Sequence, residues 1–107
     1  MAKVIWSPRA VKDINEIAEY IAKDSLLYAK AQTRLFLEQG EKLEDHPYRG
    51  RVVPEIGIDN IRQILCGHYR IIYEILGNTV GILTIHQQAR LLKNTSSVKI
   101  KRYLRKK

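Results

Sequence analysis

Residues 67–87 read GHYRIIYEILGNTVGILTIHQ, and this run decides the fold. Ile71, Ile72, Tyr73 and Ile75 are residue types that suit a pleated, half-buried strand. Gly77-Asn78 is a turn dipeptide between two apolar runs, so the whole stretch reads as a β-hairpin. Side chains alternate along a strand. Tyr69, Ile71, Tyr73 and Ile75 therefore share one face, and His68, Arg70, Ile72 and Glu74 the other. A two-residue turn pairs Ile75 with Val80, Tyr73 with Ile82 and Ile71 with Thr84, an apolar layer. On the other face Arg70 falls opposite Ile85, and the next pair outward sets Tyr69 against His86. A slip of one residue reverses the faces.

Arginine is rarely buried without a partner. Arg70 either pairs with a carboxylate of the chain, Glu74 or Glu55, or faces an anion from outside. The expectation taken forward is the outward one. It is a sheet face left uncovered, carrying Arg70, with Arg62, His86 and Arg90 near its rim.

Upstream of the hairpin, IRQIL (61–65) and RVV (51–53) read as further strands, separated from it and from each other by Cys66–His68 and Pro54–Asn60. KVIW (3–6) reads as a first strand. Ser7-Pro8 then opens a helix, since serine caps free N–H groups and proline tolerates the first helical position. Val11, Ile14, Ile17, Ala18 and Ile21 recur at helical spacing and define an amphipathic helix over 8–23. Asp24-Ser25 caps a second helix over 26–45, with Ala29, Phe36, Gly40 and Leu43 as its inner stripe. Gly40 suits a close approach, because glycine weakens a helix by about 1 kcal/mol relative to alanine. The reading is an α+β domain of order βααβββ, a helical hairpin packed on a small antiparallel sheet. The domain covers 1–93, and a basic tail, a short helix or disordered, covers 94–107.

The formal charge of the 107-residue chain is +8, and it is unevenly placed. Residues 1–74 hold 11 Lys and Arg and 11 Asp and Glu, and no acidic residue follows Glu74. Arg90, Lys93, Lys99, Lys101, Arg102, Arg105, Lys106 and Lys107 supply the whole excess. Such asymmetry points to a polyanionic or acidic partner for the C-terminal third. The single cysteine, Cys66, excludes an internal disulfide and a cysteine-based metal site. No stretch is apolar enough to span a membrane, and no signal-peptide pattern opens the chain, so a cytoplasmic location is expected. There is no phosphate-binding loop and no dinucleotide glycine fingerprint. His46, His68 and His86 lack metal-ligand spacing. No metal, cofactor or small-molecule substrate is expected.

Four blocks resemble the RelE/ParE superfamily, the toxins of type II toxin–antitoxin modules. They are WSPRAVKDINEIAEYIA, HPYRGRVVPE, IRQILCGHYRIIYEI and VGILTIHQQARLL. The resemblance covers about residues 3–92 and implies two N-terminal helices on a small antiparallel sheet. It also implies a neutralising antitoxin as partner, and one of two targets. RelE-like members cut mRNA in the ribosomal A site, whereas ParE-like members poison DNA gyrase and need no hydrolytic site. Arg70 and Arg90 match two phosphate-handling arginines of the RelE-type site, and His86 or Tyr69 would be its acid or base. The RelE motif has lysines in the strand before YR; here that strand offers only Arg62. The motif's late tyrosine falls near Ser96, and Tyr103 is the closest later one. These departures, with GRVVPE and HQQARLL, favour the ParE branch. Arg62, Tyr69, Arg70, Arg90, Lys101, Arg102 and Arg105 are the expected contacts to target or antitoxin. A third possibility is a toxin fold that only binds its antitoxin.

Overall fold

A computed structural model describes residues 1–89. Strand β1 (Lys3–Trp6) leads into helices α1 (Pro8–Ala22) and α2 (Leu26–Glu41). Two short 3₁₀ turns follow, Lys42–Glu44 and Pro47–Arg49, and then β2 (Arg51–Val52), β3 (Ile61–Cys66), β4 (Tyr69–Leu76) and β5 (Thr79–Gln87). The class is α+β, as expected, but four strands rather than three follow the helices, because the two-residue β2 joins the sheet at its edge. The five strands form one sheet in the order β1-β5-β4-β3-β2. β2 to β5 are antiparallel neighbours, while β1 returns to lie parallel to β5 at the edge.

Local chemistry explains the helix starts. The Ser7 hydroxyl accepts from the Ala10 N–H at 3.0 Å, and that of Ser25 accepts from the Tyr28 N–H at 3.1 Å. Each satisfies one of the donors a helix leaves free at its first turn. The buried stripe of α1 runs through Ala10 and Ile14 to half-buried Ile17 and Ile21. Val11, expected inside, is exposed, because the stripe begins one residue earlier, at Ala10. α2 ends four residues short of the expected Asp45, tightening into a 3₁₀ turn that still buries Leu43.

The helices cover one sheet face. Ala10, Ile14 and Phe36 meet Ile71, Tyr73, Ile75, Val80, Ile82 and Ile85 in the main core. The opposite face is not open, which corrects the expectation. Val53, Ile56, Ile61, Ile72 and Leu83 form a second apolar cluster over it. The segment between β2 and β3 folds back to make this cover. The Ile56 and Gly57 N–H groups both donate to the Val53 carbonyl, with Gly57 at φ +68°, a conformation that favours glycine.

The hairpin register is as expected from the turn as far as Tyr73–Ile82. Beyond it β5 carries a bulge, so that Ile72 pairs with Thr84, Ile71 with Ile85, Arg70 with His86 and Tyr69 with Gln87. One extra residue on one strand shifts every later pair. The expected pairs Ile71–Thr84, Arg70–Ile85 and Tyr69–His86 are therefore replaced. β1 stops at Trp6, and the edge of β5 past that point is finished by α1 and its cap. The Ser7 hydroxyl donates to the Leu83 carbonyl at 2.9 Å. The Asp13 carboxylate accepts from the Ile85 N–H at 3.1 Å and from the Thr84 hydroxyl.

Candidate functional site

Arg70 sits mid-strand in β4 and is 5% exposed. Its guanidinium is gripped by Glu55 through two parallel bonds, Nη2 to Oε2 at 2.6 Å and Nη1 to Oε1 at 3.1 Å. The Gln63 side-chain oxygen accepts a third bond from Nη1 at 2.9 Å. This corrects the outward orientation: Arg70 faces a carboxylate of its own chain. The bidentate fork matches the planar geometry that makes arginine suited to carboxylate recognition. It also meets the requirement of burial, because a buried cation needs a partner that shares its environment. Glu55 reaches Arg70 because the covering segment carries it across the sheet. Gln63 reaches it diagonally from β3, where Leu65 is the residue directly paired with Arg70.

The bulge places His86 directly across from Arg70. Two candidates of the RelE-type reading, Arg70 and His86, are thus neighbours. Tyr69, the other acid–base candidate, is buried against α2, its ring edge-on to Phe36 with centroids 5.5 Å apart. Burial pushes its hydroxyl above the ordinary range, and Tyr20 adds to the effect. It is a packing residue of the helical face.

Arg62 lies elsewhere, toward the β2 edge of the sheet. Its Nε and Nη2 donate to the Asp59 carbonyl at 2.9 Å and carboxylate at 3.0 Å. Its Nη1 donates to the Gly50 carbonyl at 3.0 Å. So fixed, the guanidinium carbon stands 4.8 Å from the centre of the Tyr48 ring. Below this pair the buried Tyr73 hydroxyl accepts from the Gly50 N–H at 2.9 Å and donates to the Pro47 carbonyl at 2.8 Å. Burial raises its pKa, and the Gly50 bond and the charges of Arg62 and Arg49 partly oppose that rise.

Arg90, Lys101, Arg102 and Arg105 lie outside the described residues. Among the described residues, no group of three or more His, Cys, Asp and Glu side chains is placed to hold a metal ion. Nor is any helix long and apolar enough to cross a membrane. Gln63 and Tyr48 escaped the sequence reading. A glutamine within the apolar strand IRQILC was a usable signal for the first; Tyr48 gave none beyond its place in a turn.

The ParE toxin family, described as "ParE toxin of type II toxin-antitoxin system, parDE", matches residues 4–92. "Toxin RelE2" of Caulobacter vibrioides is 30% identical over 92 residues, which span 85% of this chain and 100% of the relative. Among solved structures, "Chromosomal ParDE TA system from P. aeruginosa" superposes with a TM-score of 0.68 at 19% identity. That likeness covers 81% of this chain and 96% of the other, and it establishes the shared fold. With the helical hairpin, the mixed five-stranded sheet and the matched family in agreement, the chain belongs to the ParE toxin family of type II toxin–antitoxin systems.

Proposed function

We propose that this toxin acts by binding, as a DNA gyrase poison held in check by a cognate antitoxin in the cytoplasm. The observation that carries the reading is the Glu55 grip on Arg70. A ribonuclease would need that arginine to meet a phosphate, yet two of its N–H groups already serve an internal carboxylate with excellent geometry. Displacing Glu55 would leave a carboxylate buried without its cation, which is strongly unfavourable. A protein that traps another enzyme on its substrate needs a rigid surface instead. The buried ion pair contributes to that rigidity.

The adjacency of Arg70 and His86 favours the second reading, ribosome-dependent mRNA cleavage. Induced expression separates the two. In the first minutes, the proposal expects trapped gyrase cleavage complexes, a DNA-damage response and intact mRNA. Early mRNA breaks within codons, abolished by His86→Ala in a protein that still folds, would establish cleavage and overturn the proposal.

A further inference from the structure

Tyr48 is a large aromatic residue held 57% exposed by an unusually complete support. The turn that carries it is tied to one buried hydroxyl, that of Tyr73, through the preceding Pro47 carbonyl and the N–H of Gly50 two residues on. Gly50 must be glycine for this: a Cβ there would stand 2.5 Å from both the Gln63 carbonyl oxygen and the Tyr73 hydroxyl. Arg62 backs one ring face and is itself fixed by three hydrogen bonds. The exposure therefore falls on the other face and the ring edge. Arg49 and Arg51, both exposed, flank the ring in sequence, one at the end of the 3₁₀ turn and one on the edge strand β2.

Arg62 is neutralised by Asp59 at 3.0 Å, so the charge beside the open π-face comes from Arg49 and Arg51, and the combination suits a planar, anionic partner. Within residues 46–52 Tyr48 is the only exposed large hydrophobic residue, and Arg49 and Arg51 follow it in sequence. Single-stranded nucleic acid uses this combination: unpaired bases stack on aromatic rings while basic side chains follow the backbone. We propose that Tyr48, backed by Arg62 and flanked by Arg49 and Arg51, is a stacking platform for an unpaired base of single-stranded nucleic acid. The surface is separate from the Arg70 network and does not depend on which enzyme the toxin targets.

The test is equilibrium binding of the purified full chain to a labelled deoxythymidine strand of about ten nucleotides, followed by anisotropy. The basic C-terminal third is present in every variant, so differences report on the substituted residues. Tyr48→Ala should weaken binding roughly tenfold, the order expected for one stacked base, and leave the salt dependence unchanged. Tyr48→Phe should bind like the parent. Arg49→Ala and Arg51→Ala should each lower the slope of log affinity against log salt by about 0.7. A duplex of the same length should not respond to Tyr48→Ala. Equal affinity of Tyr48→Ala and parent for the single strand, or an equal loss on the duplex, would overturn the proposal. Tyr48 lies on the surface, so circular dichroism of the variant should match the parent.

Discussion

At the scale of single residues, the balance turns on Glu55. Its carboxylate neutralises a guanidinium that has almost no access to water, and its own side chain is only 13% exposed. Glu55→Ala should therefore lower stability by about 3 kcal/mol in urea unfolding, chiefly because Arg70 is left charged and buried. Replacing both partners with apolar residues, Glu55→Leu with Arg70→Met, should recover most of that loss. An additive outcome, in which the double variant loses as much as the two single variants together, would mean that the pair is not a coupled unit. The sequence named Glu55 as a potential partner but could not choose it over Glu74 or an outside anion. The choice depends on where the segment after β2 travels, and that path is set by Val53 and Ile56 reaching Ile72 and Leu83. Such contacts between distant residues leave no local periodicity to read.

Between elements, the informative contact is that of Gly40 with Trp6. A Cβ on Gly40 would overlap the Trp6 ring, coming within 2.9 Å of Cη2 and closer still to Cζ2. Gly40→Ala gains about 1 kcal/mol of helix propensity and loses about 1–3 kcal/mol to overpacking. The net expectation is a destabilised protein, by about 1 kcal/mol in thermal or urea unfolding. Trp6→Leu in the same chain should relieve the overlap and reverse the sign of the Gly40→Ala effect. If Gly40→Ala stabilises the parent, the helix and strand are not held at this distance. Here the sequence was explicit, since a glycine inside an otherwise strong helix signals close approach. The bulge in β5 was not legible. Its determinants include the Asp13 carboxylate, which meets Thr84 across 71 residues of chain. The turn at Gly77-Asn78 fixed the first pairs, and α1 redirected the rest.

For the molecule as a whole, the buried hydroxyl and thiol groups set an alkaline limit. Burial raises Cys66 above its ordinary 9.0 and Tyr69 and Tyr73 above their ordinary 10.0. The folded chain thus holds these protons to higher pH than the unfolded chain does. Stability is fully present below about pH 9 and falls as pH rises through the raised values. The midpoint of urea unfolding should drop progressively above pH 9. Tyr73→Phe should flatten the part of that fall above pH 10. At neutral pH it should cost about 2 kcal/mol, because Gly50 and Pro47 lose their partner. A Tyr73→Phe protein with the parent's alkaline slope would remove this hydroxyl from the account.

The parallel pairing of β1 with β5 also has a meaning in time. Ser7 and Leu83, joined by a hydrogen bond, are 76 residues apart in the chain. A ribosome adding about 5–20 residues per second needs roughly 4–15 seconds to make that span. Throughout this interval the first strand is complete but has nothing to pair with, and Trp6 waits for the partners that will enclose it. Every newly made chain therefore carries the sequence of both helices before that of the strand with which its first strand pairs. The fold imposes a delay between the start of synthesis and the first molecule with a complete sheet, a wait of seconds built into the chain order.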